Sequence, residues 1–193
     1  MPVSNIVELS KKIREKRANN EVVYDYSVGD FDPDIFPLPD LLREKIKDSY
    51  DSKHSNYPEP RGNRNLRESI SLYMKQRHNV DYDANQILVA AGGRPLIYAL
   101  FRILLDKDDE VVYSVPSWSN FHYTEMMRAK HRKLVTSPDT HFQPDLQELR
   151  SAIKTARVLA LCSPGNPSGM PIKKADLVQI CTMVIEENRK RKE

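Results

Sequence analysis

The sequence predicts an α/β fold, a mostly parallel sheet covered by helices on both faces and preceded by a helical N-terminal arm. Three observations carry this. From Gln86 onward, short apolar runs alternate with amphipathic helical segments. The run Val158-Leu159-Ala160-Leu161 shows no polar alternation, as expected of a strand buried on both faces of a parallel sheet. Loops rich in Gly and Pro follow several of these runs, at the carboxyl ends of strands where α/β folds bind ligands.

Apolar positions Ile6, Leu9 and Ile13 predict an amphipathic helix over residues 4–18. A short strand is expected at Val22-Val23-Tyr24-Asp25-Tyr26, then a carboxylate-dense loop from Ser27 to Asp34. Asp40 is the expected cap of a helix carrying Leu41, Leu42 and Ile46. Two prolines keep Asn56–Asn63 out of regular structure, and Leu66, Ile70 and Tyr73 mark a helix to about Arg77. The alternating region then reads as strand Gln86–Ala90, helix Pro95–Leu105, strand Glu110–Tyr113 and helix Asn120–Ala129. A weaker strand, Arg132–Thr136, precedes a helix over Asp145–Ile153 and the strand Val158–Leu161. A loop then leads into a helix near Ile172, whose apolar face is Leu177, Ile180, Cys181, Val184 and Ile185. There is no internal repeat and no low-complexity linker.

The chain has 193 residues, 39% apolar and 30% charged, with a net charge of +3. That charge is too mild to argue for nucleic acid. No apolar stretch approaches a membrane span, and the N-terminus lacks the apolar core of a signal peptide. Cys162 and Cys181 sit in apolar settings, which suits a reducing, cytoplasmic location without a structural disulfide. His54, His78, His122, His131 and His141 show no metal-ligand spacing.

Three strand ends carry residues with chemical potential. Ala91-Gly92-Gly93-Arg94-Pro95 joins a strand to a helix, where exposed N–H groups and the helix dipole suit a phosphate. The same glycines also serve turn geometry alone, and neither the dinucleotide fingerprint nor the Walker spacing is present. Trp118, the single tryptophan, follows Ser114-Val115-Pro116-Ser117. It either stacks on a planar ligand or packs beneath the loop. Asn166 offers an amide in Ser163-Pro164-Gly165-Asn166-Pro167-Ser168-Gly169, which alone is an ordinary strand-to-helix turn. In combination, the three form a phosphate cradle, a stacking ring and a hydrogen-bonding amide.

These stretches, with Val89–Arg94 and Asp108–Val112, resemble the class I/II aminotransferases, pyridoxal-phosphate enzymes of fold type I. The resemblance runs from about Val23 to the C-terminus, and the Asn-Pro-Ser-Gly element is its most specific part. It implies a partial three-layer α/β/α large domain, with residues 1–50 as arm and part of a small domain and 51–193 as the first half of the cofactor-binding domain. It implies that the N–H groups of Gly93 and Arg94 hold the phosphate of pyridoxal 5'-phosphate, that Trp118 stacks on the pyridine ring, and that Asn166 donates to the phenolic oxygen. It further implies that Gly29, with Trp118 and Asn166, lines the site for the substrate carboxylate. Tyr57 would reach the cofactor phosphate of the partner subunit in a homodimer. For Gly29 the bland alternative is turn geometry, and for Tyr57 a surface loop position.

Transamination also needs a lysine that forms the Schiff base, a carboxylate on the pyridinium nitrogen and an arginine for the substrate. In the family all three follow the Asn-Pro-x-Gly loop. No lysine here lies in the family's Ser/Thr-rich context: Lys53 follows a helix, and Lys173-Lys174 opens one. The expectation is a truncated chain that holds the binding half of the site, transfers an amino group between an amino acid and a 2-oxo acid only when complete, and has no catalytic residue of its own. The alternatives are a non-catalytic fragment that binds a partner subunit, or part of a fold type I lyase, synthase or acyltransferase.

Overall fold

The computed structural model describes residues 5–27 and 29–191 and divides the chain into two compact units, residues 1–57 and 58–193. The first unit holds α1 (Asn5–Ala18) and α2 (Asp40–Asp51). The second holds α3 (Arg64–His78), α4 (Gly93–Leu104), β1 (Glu110–Val115), α5 (Asn120–Met126), β2 (Lys130–Val135), α6 (Leu146–Ala152), β3 (Val158–Ala160) and α7 (Lys174–Lys190).

The strands form a parallel sheet in the order β2-β1-β3, with Val111 opposite His131 on one side and Val158 on the other. Because side chains alternate across a strand, β1 feeds two cores. Val112 points with Leu134, Leu149, Ile153, Ile180 and Met183 into the layer formed by α6 and α7. Val111 and Tyr113 face the opposite layer with Phe101, Leu105, Tyr123 and Met127, from α4 and α5. Val111, Val112 and Tyr113 are each at most 1% exposed, which is why this strand reads as one apolar run. The expected three-layer α/β/α arrangement is present.

Several expectations need correction. Val22–Tyr26 is not a strand: no ladder partner exists for it among the described residues, and Val22, Tyr24 and Tyr26 are exposed. Gln86–Ala90 is not one either; a single 3-10 turn, Ala84–Gln86, leads into an extended segment outside the sheet. Both edges of β1 are already taken by β2 and β3, so this segment has no free ladder there. β3 is half-buried rather than buried: both faces pack against a core, but as an edge strand it has a neighbouring strand on one edge only. Asp40 is the first residue of α2 and not its cap; the cap position is Pro39, and the Asp40 carboxylate pairs with Arg43 at 2.6 Å.

Boundaries also shift. α4 begins at Gly93, so Pro95 sits third, still within the turn whose N–H groups need no helical partner. α5 ends at Met126, where Arg128 takes a φ of +55°. β2 begins two residues early, and the last helix begins at Lys174 rather than near Ile172. Cys162 lies past the end of β3, and both cysteines are exposed rather than packed in apolar settings. No helix among the described residues is long and apolar enough to cross a membrane, and no metal-ligand cluster occurs among them.

A hydrogen-bond chain crosses one face of the sheet. His131 Nδ1 meets the Tyr113 hydroxyl at 2.8 Å, and Nε2 meets Glu125 at 2.8 Å. This suits the tautomer in which Tyr113 donates to Nδ1 and Nε2–H donates to the carboxylate. Burial, and then the Glu125 charge, hold the Tyr113 phenol above its ordinary value of 10.0. The folded state therefore keeps this proton to higher pH than the unfolded state. The resulting stability is complete below the ordinary value and is lost as pH rises past it. Tyr113→Phe should cost about 1 kcal/mol at neutral pH and flatten that alkaline decline. Denaturant titrations across alkaline pH would show this, and parallel wild-type and variant profiles would contradict it.

Candidate functional site

The carboxyl ends of the parallel strands open at one end of the sheet; the connections after β1 and β3, and the turn into α4, carry the candidate residues. Gly92 precedes α4 with φ +97° and ψ 171°, a region essentially closed to residues with a Cβ. No side chain caps α4, so the first-turn N–H groups of Gly93 and Arg94 are left for an external acceptor. Nothing lies within 4 Å of where a Cβ would sit on Gly92 or Gly93, so the space in front of the turn is open.

After β1, the loop reaches Ser119, whose φ of +71° turns the backbone into α5. Asn120 Nδ2–H donates to Ser117 Oγ at 2.9 Å, and Thr124 Oγ1 donates to the Asn120 carbonyl at 2.8 Å. These bonds brace the loop that carries Trp118, a residue 45% exposed. Trp118 is therefore not packed beneath the loop.

After β3, the loop closes on itself. Gly165 N–H donates to Met170 O at 2.8 Å, Gly169 N–H to Gly165 O at 2.7 Å, and Ile172 N–H to Ser163 Oγ at 2.9 Å. The Asn166 side chain is left exposed at the tip. Its backbone carbonyl accepts from Trp118 N–H at 3.0 Å, which ties the β3 loop to the β1 loop. A small cleft among these strand ends is lined by Ser114, Ser117, Thr136, Cys162 and Asn166.

Arg94 joins the start of α4 to the β1 loop. Its guanidinium lies 5.5 Å from the centroid of the Trp118 ring, and Nη2 donates to Ser119 Oγ at 3.2 Å. Among the described residues it forms no ion pair, so its charge remains available beside the α4 N-terminus. The structure thus brings Gly93, Arg94, Trp118 and Asn166 into one linked group.

Gly29 and Tyr57 belong to the other unit. Gly29 is an exposed loop residue with open space around it, and Tyr57 is 102% exposed. Sequence reasoning missed the Arg94 side chain and Ser119, because a cation–ring contact and a hydroxyl partner across 25 residues leave no local pattern.

The aminotransferase class I and II family matches residues 22–189, and the chain belongs to it. Aspartate aminotransferase of Bacillus subtilis is 27% identical over 190 residues, covering 96% of this chain and 47% of that protein. The asparagine–oxo-acid transaminase of Streptococcus mutans is 26% identical, covering 97% of this chain and 48% of its own length. The solved aspartate aminotransferase of Thermus thermophilus with maleate superposes with a TM-score of 0.86 at 25% identity, over 97% of this chain and 49% of that one. The chain spans about half the length of the curated relatives it matches.

The two glycines before α4 should respond differently to substitution. Gly92→Ala should cost about 1–3 kcal/mol through backbone strain. Gly93→Ala should be neutral or slightly stabilising, because that residue is helical and its surroundings are open. Chemical denaturation of both variants checks this, and equal losses would contradict the assignment of strain to Gly92.

Proposed function

We propose that this chain forms the cofactor-binding portion of a pyridoxal 5'-phosphate-dependent aminotransferase, whose complete form moves an amino group between an amino acid and a 2-oxo acid. The observation that carries this reading is the linkage of an uncapped helix start, an exposed indole and an exposed amide at one end of the sheet. The residues fit the group. The open turn at Gly92-Gly93 admits a phosphate, the free Arg94 charge complements it, and the half-exposed Trp118 ring offers a flat apolar face.

When bound, pyridoxal phosphate supplies an electron sink for the pair left at the substrate α-carbon. This chain's residues bind and orient. The N–H groups of Gly93 and Arg94 would hold the phosphate, Trp118 would fix the ring plane, and the Asn166 amide would donate to the phenolic oxygen and stabilise its anionic form. Gly29, with Trp118 and Asn166, would line the substrate carboxylate site, and Tyr57 would reach the partner subunit's phosphate in a cytoplasmic homodimer. Residues 1–50 would serve as arm and part of a small domain, and 51–193 as the first half of the large domain. No residue of this chain takes the role of the proton-moving lysine.

A second reading, a non-catalytic chain that binds a partner subunit, draws on the half-length coverage of the relatives. One titration separates the two. Trp118 is the only tryptophan, so its fluorescence reports the site directly. Pyridoxal 5'-phosphate should quench it saturably, and Asn166→Ala should weaken binding about tenfold, the worth of one hydrogen bond to a charged group. Linear, non-saturating quenching would sink the cofactor reading and favour the second.

A further inference from the structure

We propose that Arg67 is a positioning residue for the phosphate cradle: its buried guanidinium clasps the 59–62 loop against the segment that leads into Gly92-Gly93. The inference rests on the phosphate reading of that turn and adds the residue that sets its place.

Arg67, on α3, is 4% exposed, yet it keeps a full charge. Its three nitrogens donate to three separate acceptors: Nε to Gly62 O at 3.0 Å, Nη1 to Ala84 O at 2.8 Å, and Nη2 to the Glu59 carboxylate at 2.7 Å. A buried guanidinium is costly unless its geometry and partners are good, and replacing it with an apolar residue is often neutral or stabilising. General stability is therefore a weak reason for its presence. A rigid planar fork that bridges two stretches of chain is a stronger one, and lysine cannot reproduce it.

The two stretches meet again beyond Arg67. Arg61 Nη1 donates to Asn85 O at 2.6 Å, and Val89 N–H donates to Arg61 O at 3.0 Å. Gly62 has φ +92°, and a Cβ there would fall 2.6 Å from Val89 Cβ, so the loop lies flat against the 84–89 segment with no room for a side chain. The 3-10 turn that supplies the Ala84 carbonyl is itself locked by a capping box between Asp83 and Gln86.

This contact matters because residues 87–90 belong to no ladder among the described residues. Downstream of the cradle, α4 is anchored by Phe101 in the core. Upstream, the ties of this segment among the described residues run to the 59–62 loop and to Arg67. The Arg67 clasp is the anchor on this side: it holds Ala84, eight residues before Gly92, and seats the 59–62 loop whose Arg61 carbonyl accepts from Val89 N–H three residues before Gly92. Gly92, in its strained conformation, then converts the direction of this segment into the direction of the α4 N–H groups.

The test uses the 193-residue chain with Arg67→Met, Arg67→Lys and, as a milder change, Glu59→Gln. Amide exchange is read at Gly62 and Val89, with Val112 and Leu134 in the sheet as controls. Binding is read from Trp118 fluorescence with pyridoxal 5'-phosphate and with pyridoxal, which lacks the phosphate. In Arg67→Met, exchange at Gly62 and Val89 should rise about tenfold or more while the controls stay protected. Affinity for pyridoxal phosphate should fall about tenfold and that for pyridoxal much less. Arg67→Lys should rescue only partly. Glu59→Gln, which spares both carbonyl bonds, should shift both readouts in the same direction by a few-fold. Raised local exchange with unchanged phosphate affinity would overturn the proposal, as would an equal loss for both ligands. If Arg67→Met fails to fold, an unaltered Glu59→Gln would overturn it. If the wild-type chain binds neither ligand, the cofactor reading of this chain fails and the positioning role falls with it, while the exchange data still report whether the clasp exists.

Discussion

β1 is hydrogen-bonded along both edges and buried on both faces, and the helices α4 to α7 pack on the two faces of its sheet. A strand in that setting satisfies its backbone polar groups through its neighbours and contributes side chains to two cores at once. The α4–α5 layer and the α6–α7 layer are therefore held apart by a fixed sheet thickness. β1 and β2 end level, Val115 opposite Val135, and β3 ends opposite Tyr113, two residues short of them. The connections that follow β1 and β3 emerge side by side, close enough for Trp118 N–H to reach the Asn166 carbonyl.

From that scaffold, the site is assembled by short polar ties rather than by apolar packing. The β3 loop is closed by its own backbone and by Ser163, and the β1 loop by the Ser117–Asn120 pair. Arg94 spans from the α4 start to the indole and to Ser119. Loops bonded in this way leave their functional groups facing solvent, which is what a binding surface requires and a core does not. The cost falls on the backbone at Gly92 and Ser119, both in conformations that most residues avoid.

Much of the organisation was legible in the chain itself. The alternation of apolar runs and amphipathic helices located β1, β2 and β3 and their intervening helices to within a few residues. Gly93, Arg94, Trp118 and Asn166 each follow a run that was recognisable as a strand or as the extended segment before α4. The failures have one cause. Val22–Tyr26 and Gln86–Ala90 have strand-like composition, but a strand exists only where a second one offers a ladder, and no local window contains that information. The Asp40 cap failed for a related reason: whether an acidic residue caps or starts a helix depends on one ψ angle at Pro39.

By itself, the sequence determined the α/β class, the central buried strand and the residue types at the strand ends, because periodicity and composition act locally through burial. Tertiary structure alone decided which of the strand-like runs pair, that Trp118 is exposed rather than packed, that the Arg94 charge sits against the indole, and that Arg67 is buried between the 59–62 loop and Ala84. Those outcomes depend on contacts between residues far apart in the chain. The free energy of an ion or a polar group there is set by the neighbours that folding brings to it, not by the residues beside it in sequence.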